Sequence, residues 1–179
     1  MGLGSVLFFS VTGLTLNHPT WFFGGAERRS TVQGELPLEW LGGADDAALV
    51  QKLEIVEKLR SAHAVHGALA EFRVEESDIS VTFKGPGYAA DAFIDRATGT
   101  YDLTQTFHGL VALLNDLHKG RDTGPVWSLF IDISAILLAF ISISGLALLF
   151  YLKLKRASGL VVGVLGTALV AALAFWFVQ

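Results

Sequence analysis

Two histidines lie beside long apolar segments, where their chemistry would be unusual. His18 follows an apolar run at the N-terminus, and His118 comes shortly before the apolar segment that begins at Pro125. If both segments lie in a membrane, the two imidazoles are at one level on adjacent helices, which is the arrangement that six-coordinate haem iron requires. We therefore take His18 and His118 as candidate haem iron ligands. The alternative is that each imidazole bonds lipid headgroups or backbone at the interface.

Asp132 is the one ionisable residue in the apolar segment from Val126 to Leu152. A carboxylate within a bilayer costs roughly 2.5–3.5 kcal/mol on insertion scales, so it pairs, faces protein or stays protonated. Ser128, Thr12 and Arg121 are the candidate partners. In the functional interpretation Asp132 is a proton acceptor or a cofactor anchor. The alternative is a hydrogen bond between helices.

Arg121 belongs to a polar collar, together with Lys119 and Asp122, directly before the apolar segment. Its planar guanidinium can bind a headgroup phosphate or a cofactor carboxylate. We therefore take Arg121, like Asp132, as a candidate cofactor-binding residue. The alternative is that the collar is only solvated.

The other chemistry-bearing residues form weaker patterns. His63 and His66 are three apart, a spacing that can place two ligands on one helix face, but no further ligand pattern supports a zinc site, and a solvated helix end explains them better. The chain has no cysteine, which excludes disulfides, thiolate metal sites and a cysteine nucleophile. No glycine-rich phosphate loop or Ser/His/Asp arrangement stands out. The net charge of −4 argues against nucleic acid as a partner.

Two C-terminal segments must position these residues, and both predict membrane-spanning helices. Residues 125–152 and 160–179 each supply the roughly 20 apolar residues that a span needs. The loop between them, residues 153–159, carries three positive charges and no negative ones, which predicts that it stays in the cytoplasm. Residues 19–124 then lie outside. Small residues along both segments indicate packing within the chain, with an oligomer as the alternative.

The N-terminal apolar run, Leu3 to Leu16, is only fourteen residues long. We predict that residues 1–18 form a first transmembrane helix that lacks its beginning. A signal peptide would have a basic start, which this segment lacks. A buried core helix is the other alternative, since a run of this length is common in soluble cores.

Residues 19–124 have the pattern of a small α+β domain. A helical repeat of apolar residues that begins near Asp45 or Asp46 is followed by strand-like runs at Leu69–Glu75, Ile79–Lys84, Tyr88–Asp95 and Thr100–Leu103. Short turn sequences separate these runs, so the strands should pair antiparallel. A second helix is predicted over Thr106–Leu117. The predicted fold is thus a membrane helical bundle that carries a small α+β domain.

Several stretches resemble the bacterial PepSY-associated transmembrane helix proteins. They are SVTFKGPGYAADAFIDRATGTYDL, with its Asp-x-x-Thr-Gly corner, and the flanking GLTLNHPTWFFG and LLNDLHKGRDTGPVWSLFIDISAILLAFISISGLALLFYLKLKR. The resemblance covers essentially the whole chain and implies a PepSY-like extracytoplasmic domain. It departs at the start, because family members have a full first helix preceded by a basic segment.

The resemblance also implies a function. Relatives with more helices act in iron uptake as inner-membrane reductases of ferric siderophores, with haem in the membrane. Small ones are similar to proteins encoded beside flavin-transferase systems and periplasmic redox proteins. We therefore expect a multi-pass redox component of the bacterial inner membrane, with b-type haem, that supports periplasmic iron, siderophore or flavin-linked reduction. Its expected partners are the lipid bilayer and a periplasmic redox protein or flavoprotein. The alternative is a non-enzymatic anchor or regulator whose PepSY domain binds a periplasmic partner or restrains a protease.

Overall fold

The computed structural model describes residues 2–18, 27–42, 50–151 and 156–178. The chain divides into two compact units, Leu3–Ile131 and Asp132–Gln179. The first unit contains the sheet domain and the helices that pack with it. The second contains most of one long helix and all of the next.

A five-stranded antiparallel sheet forms the body of the first unit. Its strands are β1 (Arg28–Glu35), β2 (Ala68–Val74), β3 (Asp78–Gly85), β4 (Tyr88–Asp95) and β5 (Thr100–Phe107), in the order β1-β5-β4-β3-β2. The predicted antiparallel α+β domain is therefore correct. The prediction lacked β1, because this strand pairs along one side only and carries mostly exposed polar residues with no apolar alternation.

One face of the sheet is covered by α2 (Lys52–His63), and the other, the wet face, is largely accessible to solvent. In β3, Ile79, Val81 and Phe83 are fully buried, while the residues between them are not. Within α2, Ile55 is fully buried, whereas the apolar side chain of Leu53 is 70% exposed. The predicted helix start at Asp45 or Asp46 lies outside the described residues.

The corner between β4 and β5 is built by local hydrogen bonds. The Asp95 carboxylate accepts the backbone N–H groups of Ala97 and Thr98, at 2.7 and 3.1 Å. Gly99 follows with φ of +77°, a conformation that L side chains rarely adopt. Buried Arg96 donates to the carbonyl oxygens of Leu41, Glu75 and Glu76 and so ties this corner to two loops.

Three further helices and the N-terminal one complete the described chain. They are α1 (Gly2–Asn17), α3 (Gly109–Lys119), α4 (Pro125–Tyr151) and α5 (Arg156–Val178). Among the described helices, α4 and α5 are long and apolar enough to span a membrane. Helix α1 has only 16 residues, so its length does not support a third span. Of the three predicted membrane spans, two are thus supported.

The burial pattern of helix α1 is nevertheless the reverse of that in a soluble protein, because polar side chains are buried and apolar ones are exposed. Its buried side chains are the polar Ser5, Thr12 and Thr15, whereas Leu7 and Val11 are 64% and 51% exposed. In water, exposed apolar and buried polar side chains are unfavourable. In lipid the same pattern is expected, because apolar side chains gain nothing by leaving the hydrocarbon and polar ones need protein partners.

In the second unit, α4 and α5 approach each other near their connection. A Cβ on Gly159 would lie 2.7 Å from Leu149 Cδ2, whereas Cβ atoms on Gly163 or Gly166 would have no neighbour within 4 Å. The side chains of α5 from Val161 to Trp176 are exposed. Among the described glycines of α5, close packing against α4 is therefore seen at Gly159.

Candidate functional site

His118, near the end of α3, is hydrogen-bonded to Thr12 of α1. The His118 Nδ1 and Thr12 Oγ1 atoms are 2.6 Å apart, and Thr12 is only 2% exposed. The edge of the imidazole also packs against Phe9, with ring centroids 5.2 Å apart. Opposite the imidazole α1 has Gly13, where an added Cβ would lie 3.6 Å from His118 Cε1. The imidazole is thus held between residues of one helix turn.

The hydrogen bonds of Thr12 and the tautomer of His118 are linked. A threonine hydroxyl has one hydrogen, and Thr12 Oγ1 lies 2.6 Å from both the Phe8 carbonyl oxygen and His118 Nδ1. When the hydroxyl donates to Phe8, its oxygen accepts from a protonated Nδ1, and Nε2 is then the nitrogen whose lone pair could bind a metal ion.

Further contacts join α1 to α3 and to the start of α4. Thr15 Oγ1 donates to Asn115 Oδ1 at 3.0 Å. The ring of Phe8 packs edge-on against Trp127, at 6.0 Å between centroids. Trp127 Nε1 in turn donates to the Leu117 carbonyl at 2.8 Å. These contacts place the buried polar side chains of α1 against the one short helix that follows the sheet.

His18 comes directly after α1 and is half-buried. It lies six residues beyond Thr12, which is about 9 Å along a helix axis. For one iron to bind both histidines, the His18 imidazole would need to reach back over this distance. The pairing of His18 with His118 therefore stays a prediction.

Arg121 is bound to Asp116, a residue that the sequence patterns did not single out. Its Nε and Nη2 donate to Asp116 Oδ1 at 3.0 and 2.6 Å. The other oxygen, Asp116 Oδ2, accepts the backbone N–H of Gly87 at 2.9 Å. Asp116 is buried, so this carboxylate fastens α3 to the turn between β3 and β4. Arg121 has an exposed side chain.

Asp132 has an exposed side chain on α4. Each of its three predicted partners has a hydrogen bond elsewhere: Thr12 with Phe8 and His118, Arg121 with Asp116, and Ser128 with the Gly124 carbonyl at 3.3 Å. The predicted cofactor-binding role of Asp132 stays a prediction, and so does that of Arg121.

The two histidines at the end of α2 contact tyrosines of the sheet. His63 Nε2 and the Tyr101 hydroxyl are 2.6 Å apart, and the His66 ring packs edge-on against Tyr88. Burial raises the pKa of both tyrosines above its ordinary value; for Tyr88 the backbone N–H of His66, which donates to the hydroxyl, opposes the rise. His63 is therefore a partner of the sheet and not a solvated helix end.

No group of three or more His, Asp or Glu side chains within residues 2–18, 27–42, 50–151 and 156–178 is arranged to hold a metal ion. Sequence reasoning identified His118 but missed Thr12, Thr15 and Asn115 as its surroundings. One signal was available, since polar residues at positions 5, 12 and 15 share one face of an otherwise apolar helix. Nothing in the sequence indicated that Asp116 would bind Gly87.

The comparisons with known proteins agree with the architecture. The search of curated proteins and the search of solved structures each returned no match. A family model described as PepSY_TM-like matches residues 2–179. This match spans the sheet domain and both long apolar helices, and it agrees with the resemblance seen in the sequence. The chain is therefore a membrane-associated PepSY protein and belongs to the PepSY_TM-like family.

Proposed function

We propose that this chain is a multi-pass protein of the bacterial inner membrane that holds its PepSY-like domain at the periplasmic surface as a binding module for a periplasmic partner protein. The observation that carries this proposal is the chain of contacts from membrane helix to sheet. Thr12 binds His118 on α3, and Asp116 on α3 binds Gly87 in the sheet. A domain fastened in this way is presented at the membrane instead of moving on a free linker.

The charge of the loop between α4 and α5 and the burial pattern of α1 support the same proposal. The basic residues between α4 and α5 favour a cytoplasmic hairpin, which leaves the sheet domain outside. The inverted burial of α1 favours a membrane-embedded helix, although it is too short to span at 1.5 Å per residue.

The absence of cysteine makes the orientation directly testable. We expect a single cysteine at Ser77, in the turn between β2 and β3, to react with a membrane-impermeant maleimide applied to spheroplasts. A cysteine at Ser158, at the start of α5, should react only after the membrane is permeabilised. The opposite pattern would place the sheet domain in the cytoplasm and refute the proposed orientation.

The wet face of the sheet is the surface that we propose for the partner. Phe93 is 60% exposed there and lies directly opposite Asp102 of β5. A photo-crosslinking residue in place of Phe93 should yield adducts with one periplasmic protein in intact cells. The same residue at Glu57, on the exposed side of α2, is the control. Equal adducts at both positions, or none at Phe93, would count against this surface.

A second candidate is a membrane redox component that carries b-type haem, and the observation that favours it is the contact between His118 Nδ1 and Thr12 Oγ1. In metal sites the ligating imidazole commonly donates its other N–H to a neighbouring oxygen, and the Thr12 oxygen lies 2.6 Å from Nδ1, which would leave Nε2 as the ligand atom. A bound haem would supply one-electron transfer to a periplasmic redox protein or flavoprotein. His118 would be the ligand of this chain, with His18 as the predicted second one.

A visible spectrum of the protein purified in detergent tests this second candidate. After expression with added haem precursor, we expect a Soret band that is lost in His118→Ala and kept in His66→Ala. A wild-type protein without a Soret band would remove the redox candidate and leave the binding module untouched.

A further inference from the structure

A polar pocket of about 260 Å³ lies where the turn between β3 and β4 meets the segment that joins α3 to α4. The polar side chains that line the pocket come from the sheet and from α3 with the segments on either side of it. They are Lys84, Tyr88, His108, Asp116, Arg121 and Asp122. The pocket belongs entirely to the first unit of the chain. It is distinct from the contact between Thr12 and His118.

The pocket combines two cations, Lys84 and Arg121, with two carboxylates, Asp116 and Asp122. Lys84 is exposed at the end of β3. Arg121 is oriented by Asp116, which takes up Nε and Nη2. Asp122 is exposed, and its backbone has a φ of +57°. Because Asp116 already neutralises one cation, the charged lining has both signs and little net charge.

The neighbouring helices place this pocket at the level of lipid headgroups. Arg121 precedes the first residue of α4, Pro125, by only four positions. The indole of Trp127, a side chain that favours the membrane interface, donates to the last turn of α3.

We propose that this pocket binds the headgroup of a zwitterionic phospholipid with a primary ammonium group, as in phosphatidylethanolamine. Its phosphate contacts Lys84 and Nη1 of Arg121, and its ammonium group contacts the Asp122 carboxylate. The headgroup of phosphatidylglycerol would place a neutral glycerol opposite the Asp122 carboxylate, which offers a weaker, uncharged hydrogen-bond donor in place of the ammonium group. A choline headgroup would offer that carboxylate no N–H donor. The proposal rests on the membrane insertion of α4 but not on the partner or on haem.

Lipid titrations of the full-length protein, followed by native mass spectrometry in detergent, test the site. Phosphatidylethanolamine, phosphatidylcholine and phosphatidylglycerol with identical acyl chains are the probes. We expect phosphatidylethanolamine to bind most tightly. Lys84→Gln should weaken it about fivefold to tenfold, as expected for the loss of one charge-assisted contact, and Lys58→Gln on α2 should not. Equal binding by these two variants would overturn the proposal.

Two further measurements separate the alternatives. Asp122→Asn keeps a residue that tolerates positive φ, and it should reduce the preference for phosphatidylethanolamine over phosphatidylglycerol. Tighter binding of phosphatidylglycerol by the wild-type protein would refute the zwitterionic headgroup. Displacement of the lipid by millimolar inorganic phosphate would instead identify a site for soluble anions. None of these outcomes depends on the cysteine labelling, so failure here is distinguishable from a wrong orientation.

Discussion

At the scale of single residues, the pair formed by Thr12 and His118 is the most consequential contact in the first unit. It joins two residues that are 106 positions apart in the chain. Thr12 Oγ1 also lies within hydrogen-bond distance of the Phe8 carbonyl oxygen, so the direction of its bonds and the tautomer of His118 are linked. A structural role for His118 needs only the Nδ1 bond, while a ligand or proton-accepting role needs the free Nε2 as well. Substitutions at Thr12 therefore probe both.

We expect Thr12→Val to lower the free energy of unfolding by about 1–3 kcal/mol, since it leaves the partly buried Nδ1 of His118 without its hydrogen-bond partner. Valine keeps the volume of threonine, so packing is little changed. Thr12→Ser retains the hydroxyl and is the control. Thermal unfolding in detergent, followed by circular dichroism, measures the effect. If Thr12→Val melts like the wild type, the hydrogen bond does not contribute to stability.

The tyrosines of the inner sheet face predict a loss of stability at high pH. Burial raises the pKa of Tyr88 and Tyr101 in the folded protein above the unfolded value of about 10. Between the two values the folded state binds more protons, so the free energy of unfolding decreases as the pH rises. The stabilisation is complete below the unfolded pKa and is lost as the pH passes through the folded pKa.

Urea unfolding of the protein in detergent at several pH values checks this expectation. We expect Tyr88→Phe to show a smaller decrease in the free energy of unfolding above pH of about 10 than the wild type, because one of the two shifted groups is gone. Tyr151→Phe on α4 serves as the matched control. An unchanged decrease in Tyr88→Phe would show that its burial does not govern the alkaline response.

At the scale of elements, the turn between β3 and β4 connects the sheet to α3. Gly87 has a φ of +64°, and a Cβ there would lie 2.9 Å from backbone atoms of Leu113. Its N–H donates to Asp116, while its carbonyl accepts the N–H of His108. Both backbone polar groups of Gly87 are therefore hydrogen-bonded, and the residue packs directly against α3. A displacement of the turn should consequently displace α3 as well.

We expect Gly87→Ala to cost about 1–3 kcal/mol of stability, because the methyl group must displace α3 and because positive φ is strained for alanine. Gly85→Ala is the matched control in the same turn, since its Cβ would meet Gly67 Cα at 3.4 Å, an ordinary contact. Thermal melting of both variants in detergent gives the comparison. Equal melting temperatures of the two variants would mean that α3 can shift to accommodate the methyl group without loss of stability.

At the scale of the whole molecule, the sheet domain has a core that does not draw on α1. The buried apolar cluster is formed by the sheet, α2 and the neighbouring loops, with Phe83, Ile55 and Leu103 among its fully buried members. Helix α1 contributes polar contacts to α3 and an aromatic contact to the start of α4. The first unit thus has a self-sufficient sheet and a membrane-side part held by α1.

Removal of residues 1–18 should separate these two parts. In hydrogen exchange of the truncated protein in detergent, we expect amides of β3 and β4 to stay protected, because their ladder and core are complete. Amides of α3 should exchange faster, because Thr12 and Thr15 no longer bind His118 and Asn115. Loss of protection throughout the sheet would show that α1 is needed for the domain to fold.

Local signals in the sequence determined much of this protein. Hydropathy defined both long apolar helices, and alternation and turn residues defined β3, β4 and the corner at Asp95, because each signal lies within a few neighbouring residues. The tertiary structure decided the rest. Edge strand β1 carries no apolar pattern and exists through pairing with β5. The bonds from Thr12 to His118 and from Asp116 to Gly87 join residues 106 and 29 positions apart. Such partners are selected by the packing of whole elements, so no local pattern of residues could specify them.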